Sequence, residues 1–98
     1  MTIIKNQDGS KLALALEGRL DTTTAPELEK ELSASTAGVT ELSFDMKALD
    51  YISSAGLRVL LSAQKLMNKQ GSMVIRNVND DIREIFDVTG FSDILTIE

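Results

Sequence analysis

The chain contains no cysteine, no histidine and no tryptophan, and its aromatics are three Phe and one Tyr. Without cysteine no disulfide framework can form. Without Cys and His the usual zinc sites are excluded, as are a cysteine nucleophile and a Ser-His-Asp triad. Proline occurs once, and no apolar run approaches the length needed to span a membrane. Residues 1–8 lack the pattern of a signal peptide, because Ile3 and Ile4 are followed at once by Lys5, Asn6, Gln7 and Asp8. The formal net charge is −5 and the basic residues are scattered, leaving no footprint for nucleic acid or anionic lipid. A protein of the cytoplasm is expected, inserted in no membrane and binding no nucleic acid directly.

What is present suits one α/β domain over residues 1–98. The 43% hydrophobic and 26% charged residues are ordinary for a globular chain, and with few aromatics the core must come from Leu, Ile, Val, Ala and Met. Residues 2–6 are β-prone, and Asp8-Gly9 offers a hairpin turn. The return strand alternates Leu12, Leu14 and Leu16 with Ala13 and Ala15; whether the alanine face meets a helix or solvent is open. Thr24, Ala25, Pro26 and Glu27 read as a capping box opening a helix that carries Leu28 and Leu32. Residues 42–44 read as a third strand, and residues 54–70 as a second helix with Val59, Leu60, Ala63, Leu66 and Met67 on one face and Gly71 as its stop. A strand at 73–75, a helix capped by Asn79 and closed by Gly90, and a last strand at 94–97 complete the order β-β-α-β-α-β-α-β. This predicts a mixed β-sheet, mostly parallel beyond the hairpin, packed with α-helices through right-handed crossovers.

In such sheets sites gather where a parallel strand ends and the next helix begins. The segment 45–61, D-M-K-A-L-D-Y-I-S-S-A-G-L-R-V-L-L, is expected to run from strand three through a loop into the second helix. Ser53 and Ser54 fall at its junction, where free backbone N–H groups and the helix dipole favour an acceptor or an anion. A serine here is ordinarily a plain N-cap, and Ser53 can cap while Ser54 is displayed. Gly56 is expected to leave the backbone open to an approaching protein.

This segment resembles the signature of STAS domains, the family of anti-sigma-factor antagonists, which reads Asp, a short loop, then Asp-Ser-Ser/Thr-Gly-Leu and an apolar helix. G-R-L-D-T-T-T-A-P-E-L at 18–28 resembles the family's strand-to-first-helix segment. The resemblance implies that Ser54 is phosphorylated by a partner serine kinase that is itself the anti-sigma factor. It also implies that the unmodified chain binds this kinase through Asp21, Ser53, Ser54, Ala55, Gly56, Leu57 and Arg58. Two positions depart from the pattern: Ser53 replaces the family's acidic residue, and Ala55 replaces the next Ser or Thr. They keep a second reading open, a non-phosphorylated STAS scaffold within a signalling complex or a transporter-associated assembly. Relatives often carry a further helix after the last strand, so an exposed apolar strip and a homodimer are also expected here.

Other residues have plainer roles. Asp21, with Arg19, is either a polar turn residue or part of the partner surface. Asp45 is not read as an aspartyl phosphoacceptor, since the first strand lacks an acidic pair for magnesium and the last strand brings no lysine; it is expected to organise its own loop. Arg58 and Lys65 read as a solvated helix face, and Tyr51 as packing with its hydroxyl at the rim. Catalysis is not expected. No phosphate-cradling glycine motif occurs, no metal cluster is visible, no cofactor is called for, and Ser54 has no base to activate it.

Overall fold

Leucines at every second position of β2 (Lys11–Leu20) give one wet and one dry face, and that alternation organises the molecule. In the computed structural model, which describes residues 1–98, Leu12, Leu14, Leu16 and Leu20 are buried while Lys11, Ala13, Glu17 and Arg19 are exposed. β1 (Thr2–Asp8) pairs antiparallel with β2 across a turn in which Asp8 faces Lys11, as the hairpin signal predicts.

From β2 onward the chain repeats one move. α1 (Ala25–Ser35) leads to β3 (Glu41–Ile52), α2 (Ser54–Gln70) to β4 (Ser72–Arg76), and α3 (Asp80–Thr89) to a short 3₁₀ turn, Phe91–Asp93. The sheet order is β1-β2-β3-β4, with β2, β3 and β4 parallel. Successive right-handed crossovers that advance in one direction place every helix on one face of the sheet. Leu42, Phe44, Met46, Met73 and Ile75 join the β2 leucines beneath the helices, together with Leu28, Leu60, Ile82 and Phe86. Ala13, Ala15, Ser43 and Asp45 line the opposite, uncovered face, which settles where the alanines point.

Three expectations need correction. β3 does not end at Phe44: it continues to Ile52, so the segment read as a loop is strand, with irregular register against β2 between Ala15 and Arg19. The strand expected at 94–97 shrinks to a single parallel bridge, Ile75 with Ile97, because Leu95 turns into the core and Ile94 stays half exposed. Gly71 stops α2 for a different reason from a left-handed cap. Its backbone is extended, with φ 172°, and a Cβ placed on it would lie 1.9 Å from the Thr40 carbonyl oxygen. α3 follows its signal: the Asn79 carboxamide oxygen accepts from the Ile82 N–H at 2.8 Å, and its amide donates to the Leu49 carbonyl, tying the cap to β3. Val88 on this helix and Ile94 beyond it stand exposed.

Candidate functional site

The parallel pairing of β2 and β3 is what gathers the candidate residues. Leu20 is the register partner of Ile52, and the Ser53 N–H donates to the Leu20 carbonyl at 2.9 Å. The turn after β2 and the start of α2 therefore meet at one end of the sheet, as the sequence reading requires of Asp21 and Ser54.

On the β2 side, Asp21 organises the turn. Its Oδ1 accepts from the Thr23 hydroxyl at 2.8 Å and from the backbone N–H groups of Thr23 and Thr24. Thr24 occupies the N-cap position of α1, yet its hydroxyl makes no capping bond. It donates to the Arg19 carbonyl and accepts from the Asp21 N–H, each at 2.8 Å. The expected capping box is thus replaced by an Asp21-centred turn: Asp21 takes the Thr24 N–H that Glu27 would have bonded, and the Thr24 hydroxyl is committed to the Arg19 carbonyl. The Thr23 hydroxyl holds the Asp21 carboxyl below the ordinary value of 3.8; desolvation, the next largest effect, opposes it, and the backbone donors of Thr23 and Thr24 add to the lowering. Asp45 is also lowered, first by the Asn77 amide and then by the Lys47 N–H. It ties β3 to the residues after β4, a wider role than ordering its own loop.

These lowered values have a consequence in acid. A carboxyl with a depressed folded pKa stabilises the fold above its unfolded pKa, and that contribution vanishes as pH falls through the folded value. The melting temperature is therefore expected to drop below about pH 4, and to drop less steeply in the Asp21→Asn, Asp45→Asn double variant. Parallel acid limbs for the two proteins in scanning fluorimetry would rule this out.

On the β3 side, Ser54 is the first residue of α2 and is exposed. Ser53 sits at the N-cap with extended backbone, but it does not cap: its Oγ is buried and finds no partner. Ala55 is half buried against the core. Gly56 is not an open backbone position. It is buried, and a Cβ there would lie 2.7 Å from Leu20 Cγ and 2.9 Å from Ile52 Cγ1, so its bareness lets α2 rest on the strand ends. Leu57 is likewise core, 6% exposed. Gly56 and Leu57 therefore position the surface from behind, while Asp21, Ser54 and Arg58 present groups to solvent. Arg58 lines a shallow groove between α1 and α2 together with Thr22, Pro26, Glu29 and Ala55.

One feature escapes the sequence reading. Arg19 stands over the Tyr51 ring at 4.4 Å and reaches Asp21 at 3.6 Å, joining both strand ends in one charged and aromatic cluster. Tyr51 is exposed as a platform for that guanidinium instead of packing inward. The pairing becomes readable only once the Arg19–Tyr51 register is known.

The Ser54 hydroxyl makes no side-chain hydrogen bond, and no group of three or more carboxylates assembles in the form of a metal site. No helix is long and apolar enough to cross a membrane.

The chain is similar to BtrV of Bordetella bronchiseptica, assigned as an anti-sigma factor antagonist, with 40% identity over 92 residues, covering 92% of this chain and 78% of that one. It is 29% identical to the anti-sigma-B factor antagonist of Bacillus subtilis, covering 93% and 84% of the two chains. Its fold is that of the anti-sigma factor antagonist SpoIIAA in the unphosphorylated form, with a TM-score of 0.79 at 16% identity over 99% of this chain and 87% of that one. The phosphorylated form of SpoIIAA gives 0.78 at 16% identity over 99% and 91%. A family model for the STAS domain matches residues 2–98. The chain belongs to the STAS domain family.

Proposed function

We propose that the chain is an anti-sigma factor antagonist that binds an anti-sigma factor with serine-kinase activity and is released when that kinase phosphorylates Ser54. The observation that carries this reading is the display of Ser54. It presents an exposed hydroxyl at the start of a 17-residue helix, beside the Asp21 turn. Such a hydroxyl suits a substrate, and a phosphate placed there is favoured by the helix N-terminus, so the fold tolerates it. SpoIIAA keeps one fold in both its forms, with TM-scores of 0.79 and 0.78 against this chain. A switch of this kind acts on a surface and leaves the core alone. The chain then works as a binding module of the cytoplasm, where the kinase supplies the catalysis, and Asp21, Ser54 and Arg58 form the contact face.

The scaffold reading has one observation in its favour. Ser53 turns its hydroxyl inward, so the position before Ser54 offers a kinase no recognition group. Incubation with ATP and the anti-sigma factor of the same genome, followed by peptide mass mapping, separates the two. One phosphate on Ser54, absent from Ser54→Ala, is the expected result. Tight binding with no phosphate on Ser54 would establish the scaffold instead.

A further inference from the structure

We propose that Arg58 is the internal counterion of a phosphate on Ser54, so that one modification adds a dianion to the contact face and withdraws the cation that stood there. This rests on the reading of Ser54 as the phosphorylated residue.

Ser54 and Arg58 are four residues apart on α2, and both are exposed. At that spacing the two Cβ atoms lie about 5–6 Å apart on one helix face. Cα–Cβ bonds tilt toward the helix N-terminus, so the Arg58 stem is directed back over the turn that begins with Ser54. An anion placed N-terminal to its cation is the better order for such a pair. Arg58 is also uncommitted. Arg19, Arg76 and Arg83 are paired with Asp21, Glu98 and Asp87, whereas Arg58 makes no ion pair and no side-chain hydrogen bond. Glu29, across the groove on α1, is the carboxylate facing it, yet the two do not come within ion-pair distance. Asp21 is engaged by Arg19 and Thr23. No side chain caps the first turn of α2, so nothing in the chain competes for the place a phosphate takes.

A phosphate brings three acceptor oxygens and about −1.5 to −2 charges, and a guanidinium offers it a planar fork of donors. In the unmodified chain the contact face carries a free Arg58 ready for an acidic group of the kinase. In the modified chain that guanidinium is taken by its own phosphoserine, and the face reverses sign.

The test places phosphoserine at position 54 during synthesis, so that no kinase is needed, and follows its second ionisation by phosphorus NMR. With Arg58 present this pKa is expected about 0.3 pH unit lower than in Arg58→Gln. Arg58→Lys should restore part of the difference, and high salt should shrink it. Equal values in the Arg and Gln proteins would overturn the pairing even if phosphate is found on Ser54 in the kinase assay. Failure of Ser54 to accept phosphate in that assay would overturn the switch while leaving the titration as it stands.

Discussion

Ser54→Asp is expected to weaken binding of the anti-sigma factor by about 1.5 to 3.5 orders of magnitude, with Ser54→Ala binding nearly as well as the parent. A charge introduced there must lose its water in a fitted interface, and it takes up the Arg58 guanidinium that would otherwise face the partner; disruption of that kind costs on the order of 2–5 kcal/mol, where each 1.4 kcal/mol is tenfold. The effect is not a fold defect. Ser54 is exposed and opens a helix, where an acidic side chain is favourable, so the Asp variant should melt at or slightly above the temperature of the parent. Calorimetric titration of both variants against the anti-sigma factor gives the affinities. Equal affinities for the Asp and Ala proteins would remove Ser54 from the interface altogether.

Gly71→Ala is expected to be the most damaging small substitution in the chain. The added Cβ would sit 1.9 Å from the Thr40 oxygen, 2.6 Å from its carbonyl carbon and 2.7 Å from its Cα, all backbone atoms that no rotamer change can clear. That carbonyl also accepts from the Ser72 N–H at 2.9 Å, so retreat breaks the connection that starts β4. Overpacking costs typically 1–3 kcal/mol and more when backbone must move, so about 3 kcal/mol is expected, or a melting temperature roughly 12–24 °C lower for a domain of this size. Lys69→Ala, exposed on the last turn of the same helix, should fall within about 0.5 kcal/mol of the parent. Similar melting points for the two variants would show that the α2–β4 connection relaxes freely.

Much of the fold could be read from the chain because its signals are local. Alternating leucines define β2, the stripe from Val59 to Met67 defines α2, and Asn79 with Gly90 brackets α3. The misreadings share a cause, which is that a linear pattern carries no register. The stretch from Lys47 to Tyr51 lacks alternation because β3 meets β2 irregularly there, and it passes for a loop. Gly56 and Leu57 belong to the signature and so look like surface, yet their helical positions fall on the side of Leu60, Ala63 and Met67. Thr24 looked like a cap because the spacing to Glu27 is right; the competing acceptor, Asp21, lies three residues upstream. For the site, Ser54 and Asp21 were within reach of the sequence. The Arg19–Tyr51 contact was not, since it exists only through strand pairing.

The bond from the Ser53 N–H to the Leu20 carbonyl also bears on the timing of association. It joins the two halves of the proposed contact face, so the Asp21 turn and the first turn of α2 tumble together, and a partner docking there would meet them already arranged. Little ordering entropy is then spent on docking. Encounter should proceed at the pace of diffusion and orientation without waiting on a rearrangement, and changes at Ser54 should register chiefly in how long the complex lasts.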